Sequence, residues 1–228
     1  MEIEEGGGEL SDRLKRSIDK LGTRFAFRDG RRPEYFGLLE LESKPFWTAK
    51  QCGPDVEALL ATLATKRDAL RAEVAAARDA HRIARDVESN GQWSIRYVSR
   101  DGQLEASAPA TLRSILAQHA ACVPSLPFCA SIVSFLGPHG KIKPHYGPTN
   151  LRLRLQFPLS ATDDCRLFCG DEQHAYADGY AIIDDAYLHW AENASPELER
   201  IMLIVDIWHP GVVPGERQAI TQLFQTHL

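Results

Sequence analysis

Apolar residues recur three and four apart through the first third of the chain and at every second position later on, a pattern that predicts helices followed by strands. Leu10, Leu14, Ile18 and Leu21 mark a short amphipathic helix running from Ser11, with Gly22 as its stop. Thr23 to Trp47 is interrupted by Gly30, Pro33, Gly37 and Pro45 and reads as extended chain anchored by Phe36, Leu38, Phe46 and Trp47. Asp55 to Glu88 reads as one long helix, with Val56, Leu59, Leu60, Leu63, Leu70 and Val74 on its apolar side. His81 falls within it as an ordinary surface or boundary histidine, and Asn90-Gly91 marks a turn.

Strand texture follows. Trp93 to Ser99 alternates and leads to an Asp101-Gly102 turn, Thr111 to His119 is a short helix, and Phe128 to Leu136 is a strand ending at Gly137-Pro138. Further strands are predicted at Leu151 to Leu159, Arg166 to Cys169, Tyr180 to Asp184 and Ile201 to His209, with a closing helix from Glu216 to His227. Short strands at close spacing after helices point to a mainly β barrel or jelly-roll sandwich with helices packed outside. The expected organisation is a disordered tip over residues 1–8 and one domain over 9–228, with a helix-rich 9–90, a β core over about 91–211 and the closing helix over 215–228. Within Leu151 to Leu159, the leucines should lie against one layer, leaving Arg152, Arg154 and Gln156 in a row on the other face.

Composition narrows the function. A chain of 228 residues, 44% hydrophobic and 25% charged, can bury one sizeable core. A net charge of -5 and a pI near 5.9 argue against general binding to nucleic acid or anionic membrane. No apolar run approaches the roughly 20 residues of a membrane span, and the acidic, glycine-rich start is unlike a signal peptide, which points to the cytosol. Five cysteines without a CxxC pair fit free thiols in a reducing compartment. Cys165, Cys169 and His174 lack a usual zinc spacing, and the two cysteines read as buried strand residues.

His145 stands just before one predicted strand and His189 just after another, an arrangement that can converge on a metal in a jelly roll. Arg200 opens the last apolar strand and is placed to hold a carboxylate in the same barrel mouth; its alternative is a surface pair with Glu197 or Glu199. Non-haem iron oxygenases usually add a carboxylate two residues after the first histidine, but that position is Gly147. Asp184 and Asp185 precede His189 and read as turn-forming groups or groups behind the ligands.

HYGPTNLRLR, from His145 to Arg154, resembles the HxGPTNxRLR signature of the aspartyl/asparaginyl β-hydroxylase family, and DDAYLH with RIMLIVDIWHP resembles its second signature. GLLELESKPFW, from Gly37 to Trp47, is similar to the family's opening segment, and Trp93 with its strand fits the next block. The resemblance covers most of residues 33–211. It implies a double-stranded β-helix, Fe(II), and 2-oxoglutarate and O2 as cosubstrates. It also implies iron held by His145 and His189 alone, glycine at the carboxylate position, and Ser134, Arg154 and Arg200 on 2-oxoglutarate. Gln156 stands where other members have a histidine near the cosubstrate. Arg152 and Trp93 are the candidates for substrate contact, Arg152 for a substrate carboxylate. The implied protein is a small hydroxylase of bacterial or fungal type, without the animal enzyme's membrane anchor and helical-repeat region, acting on an aspartyl, asparaginyl or related small-molecule, aminoacyl or peptide substrate. Desaturation, epoxidation or halogenation at the same iron, and a silent binding module, are the competing expectations.

Overall fold

In the computed structural model, which describes residues 10–21, 23, 25–77, 83–84, 93–161, 163–176 and 179–226, two antiparallel sheets face each other and helices cover the outer side of the larger one. The chain contributes α1 (Asp12–Ile18), β1 (Phe46–Trp47), α2 (Ala49–Cys52), α3 (Pro54–Ala76), β2 (Ile83–Ala84), β3 (Trp93–Arg100), β4 (Gln103–Leu104) and α4 (Ala110–Gln118). Then come β5 (Ala130–Leu136), β6 (Lys141–His145), β7 (Arg152–Ser160), β8 (Cys165–Cys169), β9 (Glu172–Ala175), β10 (Ala181–Ile183), β11 (His189–Asn193), β12 (Arg200–Trp208) and α5 (Pro214–Thr226).

The large sheet runs β1-β10-β7-β12-β5-β3-β2 with β4 against β3, and the small sheet runs β6-β11-β8-β9. From β5 onward the chain passes from one sheet to the other at nearly every connection, only β8 and β9 forming a hairpin within one sheet. That winding is a double-stranded β-helix, the expected fold.

Alternation on β7 places Leu153, Leu155, Phe157 and Leu159 outward, where they meet Val56, Leu59, Leu63 and Leu70 of α3 in one core. A second core lies between the sheets, where Ile95, Ile132, Met202 and Ile204 of the large sheet face Ile142, Leu167 and Ala191 of the small one. A third, around Phe36, Leu151, Trp208 and Ile220, joins α5 to the extended segment. Arg13 and Ser11 clamp α1 to the start of α5 through Glu216, at 2.5 and 2.6 Å.

The long helix is shorter than the sequence predicts. It ends at Ala76, just past Val74, its last buried apolar residue, and Ile83 and Ala84 form a strand against β3 instead of continuing it. Without a buried stripe, helix propensity alone does not carry the Ala- and Arg-rich stretch onward. The first helix likewise stops at Ile18, with Asp19 as its C-cap, before Leu21. Residues 1–8, Gly22, His81 and Asn90-Gly91 lie outside the described residues.

His209, just after β12, is buried against Trp47, with ring centroids 4.9 Å apart. Its Nε2 donates to the Glu42 carbonyl at 3.1 Å and its Nδ1 accepts from the Gly211 N–H at 3.0 Å, which fixes the neutral ring. Burial pushes its pKa down to about 4, against the opposing pull of the Glu42 hydrogen bond. An unfolded histidine titrates near ~6.5, so protonation favours the unfolded chain. The stability that neutral His209 contributes is complete above that value and falls away on acidification. The advantage of the wild type over His209→Gln in urea unfolding should therefore shrink by about 2 kcal/mol between about pH 7.5 and about pH 5. A constant difference would rule out this titration.

Candidate active site

His145 ends β6 and His189 begins β11, and the two are direct partners in the antiparallel ladder. Both strands escaped the sequence reading, which placed the histidines outside strands. Their rings lie 4.2 Å apart between centroids. His145 Nδ1 is 2.8 Å from the Lys143 carbonyl and His189 Nδ1 is 3.0 Å from the Tyr187 carbonyl. A carbonyl only accepts, so each Nδ1 carries the hydrogen and each Nε2 keeps a lone pair. Burial, and next the neighbouring His145, lower the His189 pKa to about 3. Two imidazoles with free Nε2 lone pairs, His189 buried and His145 half-buried, are a donor set suited to iron. Among the described residues, no group of three or more His, Cys, Asp or Glu converges on a metal position.

The turn between β6 and β7 is shaped by buried Asn150, whose side chain accepts from the Leu38 N–H at 2.8 Å and donates to the Leu38 carbonyl at 2.9 Å. Gly147 N–H donates to the Asp185 carbonyl at 2.6 Å. A β-carbon at position 147 would fall 2.4 Å from the Asp185 carboxylate, so the close approach demands glycine. Asp184, by contrast, closes a turn on the Ala186 N–H at 3.1 Å and meets Arg31 at 3.4 Å. Burial drives the Asp184 pKa up to about 7, with Arg31 opposing.

Arg152, Arg154, Asp185 and Asp206 form a cluster of two cations and two carboxylates. Arg152 meets Asp185 at 2.8 Å and also Asp206; Arg154 meets Asp206 at 2.9 Å and Asp185 at 3.6 Å. The Ala130 N–H donates to Asp206 at 2.7 Å. Burial alone would raise the Asp185 pKa, but Arg152 and then Arg154 outweigh it and hold the group below the usual carboxylate range. Arg152, expected to meet a substrate carboxylate, is only 1% exposed and committed to these two aspartates. Arg154 keeps one side toward the cavity.

At the other end of the site, Arg200 is 1% exposed and makes no pair with Glu197 or Glu199 among the ion pairs of the described residues, contrary to its surface alternative. Its Nη2 lies 3.4 Å from Ser134 Oγ, which also accepts from Trp93 Nε1 at 3.0 Å. Arg200 stacks over Tyr176 at 5.5 Å, and the Tyr176 hydroxyl donates to Gln156. Burial pushes the Tyr176 pKa up to about 12, so it remains a donor. The Arg200 Nε and Nη1 have no hydrogen-bond partner among the described residues. A buried guanidinium without a carboxylate is costly unless an anion completes it. Trp93 and Gln156 thus belong to the Arg200 end of the site.

A cavity of about 920 Å³ joins the two ends, reaching His145, His189, Arg154, Gln156 and Arg200. Sequence reasoning missed Tyr176 and Asp206. The signal for Asp206 was a single carboxylate inside the apolar run IMLIVDIW, an arrangement that a buried strand tolerates only with partners. Tyr176 offered no comparable signal.

The sequence profile of Aspartyl/Asparaginyl beta-hydroxylase matches residues 60–210. The chain belongs to that family. Among β-hydroxylase relatives, aspartate beta-hydroxylase domain-containing protein 2 of Xenopus tropicalis is 30% identical over 203 residues, covering 85% of this chain and 55% of that protein. The mouse domain-containing protein 1 is 40% identical over 94 residues, covering 40% of this chain and 26% of its own. The chain thus spans about half the length of the first of these β-hydroxylase-domain proteins. In structure, a Pseudomonas putida prolyl-4-hydroxylase covers 67% of this chain and 97% of its own at a TM-score of 0.42 and 14% identity.

Proposed function

We propose that this β-hydroxylase-family protein is an Fe(II)- and 2-oxoglutarate-dependent dioxygenase that hydroxylates an aspartyl, asparaginyl or related small-molecule or peptide substrate. The observation that carries this reading is the buried, uncompleted Arg200 guanidinium at one end of a cavity whose other end presents two histidines with Nε2 lone pairs. His145 and His189 would hold the iron. Bound iron with 2-oxoglutarate and O2 supplies the oxidising power that turns the keto acid into succinate and CO2 and inserts oxygen into a C–H bond.

The chain's own groups bind and orient. Arg200, with the Ser134 hydroxyl, takes the distal carboxylate in a charge-assisted pair. Trp93 fixes Ser134, and Tyr176 fixes Gln156, so the anion meets a site already arranged. Arg154, held by Asp206, presents positive charge toward the histidine end. Apolar walls between the sheets exclude water.

The Asp185 carboxylate beside Gly147 favours hydroxylation over halogenation, since a halide in that space would face a like charge. A module that only binds an anion would use Arg200 but has no need of two histidine Nε2 lone pairs at the other end of the same cavity. Fe(II) and 2-oxoglutarate added anaerobically should give the weak visible charge-transfer band of the chelate, and Arg200→Met should weaken 2-oxoglutarate by roughly ten- to a hundredfold while leaving iron binding intact. Absence of the band in the wild type overturns the proposal.

A further inference from the structure

We infer that, within the substrate range proposed above, this cavity selects the related substrates whose side group is apolar and carries no carboxylate over the aspartyl type itself; the inference rests on the proposed placement of 2-oxoglutarate at Arg200. Charge is the first argument. The cations lining the cavity among the described residues, apart from the histidines, are Arg152, Arg154 and Arg200. Arg152 and Arg154 are matched by Asp185 and Asp206, and Arg200 serves the cosubstrate. Beyond the two carboxylates of 2-oxoglutarate, a further carboxylate on the substrate would find only Arg154, which Asp185 and Asp206 already share, and Glu34 at the rim would repel it.

Shape is the second argument. Strand pairing puts Ala130, Asp206 and Arg154 at one level of the large sheet, with Leu136 and Arg200 at the opposite end. The wall on the Ala130 side, away from Arg200, is built from Tyr97, Pro127, Phe128, Leu223 and Phe224, and Leu21 joins them at the rim. Phe128 and Phe224 pack edge to face at 5.0 Å, and Phe224 does the same with Phe36 at 5.6 Å, so this wall is aromatic and tied to the core. A five-carbon keto diacid fills only part of about 920 Å³. The remaining space offers hydrocarbon contact and few polar groups, the setting for an aromatic or branched aliphatic side group, with its reacting carbon toward the histidine pair.

Matched probes test this on the metal-free protein by calorimetry or tryptophan fluorescence: N-acetylphenylalaninamide, N-acetylleucinamide and N-acetylaspartamide share one backbone and differ only in the side group. The apolar pair should bind at least about tenfold more tightly than the aspartyl probe, with binding strengthening roughly fourfold for each added buried methylene in an aliphatic series. Leu21→Glu, an exposed rim change, and Phe128→Ala should each weaken the apolar probes several-fold while the 2-oxoglutarate band with Fe(II) persists. Equal or tighter binding of the aspartyl probe overturns the inference, as does indifference of the apolar probes to both variants. Loss of the band in the wild type strikes the oxygenase reading instead, and the metal-free binding order reads the cavity independently of it.

Discussion

Arg152→Met should lower the unfolding free energy of the metal-free protein by about 3–5 kcal/mol, although methionine fills much of the same volume. The cost comes from what is left behind. Asp185 and Asp206 are both fully buried and share Arg152; without it, Arg154 alone faces two carboxylates. Asp185, now held low by Arg152 first and Arg154 second, would titrate upward. In the wild type, that depressed carboxyl adds stability above its unfolded pKa and loses it as pH falls. The variant should therefore show weaker acid sensitivity from this group, beginning from a lower stability at neutral pH. Adding Asp185→Asn should restore part of the loss, because it removes one of the stranded charges. Urea unfolding of the two single variants and the double variant measures the coupling. A single-variant loss under about 1 kcal/mol would mean the cluster is not held by charge pairing.

Gly147→Asp rebuilds the carboxylate that most non-haem iron sites have two residues after the first histidine, and it should nevertheless destroy the site. The space is taken: a β-carbon there already lies 2.4 Å from the Asp185 carboxylate, before any further atoms are added. Overpacking costs about 1–3 kcal/mol, and a second buried carboxylate against the first adds like-charge repulsion. Turnover should fall by roughly a hundredfold or more through displacement of His145 and His189, the proposed iron ligands. Combining it with Asp185→Gly vacates the space and should recover folding and Fe(II) binding, measured by calorimetry. If the single variant binds Fe(II) more tightly than wild type at unchanged stability, the steric account is wrong.

Much of this geometry was legible where patterning and burial agree. The Leu and Arg alternation of β7 told which face met the helices and which met the cavity, because a central strand of the large sheet is packed on both sides. The β6 strand, KIKPH, stayed hidden because it is an edge strand with charged outward residues, where Pro144 is tolerated. The β11 strand, HWAEN, carries too few apolar residues to alternate visibly, though its neighbours on both sides hold it in place. The pairing of Arg152 was also out of reach. Its partners Asp185 and Asp206 come from distant segments, and only the fold brings them together.

The opposed pairing of His145 with His189 has one more consequence. In the proposed iron site, two ligands on a single rung of a ladder would have their separation set by the distance between neighbouring strands, about 4.5–5.5 Å at the β-carbons. The backbone itself would thus act as the chelating arm. A metal held there would meet two ligands that the ladder has already aligned, which offsets the want of a third protein ligand.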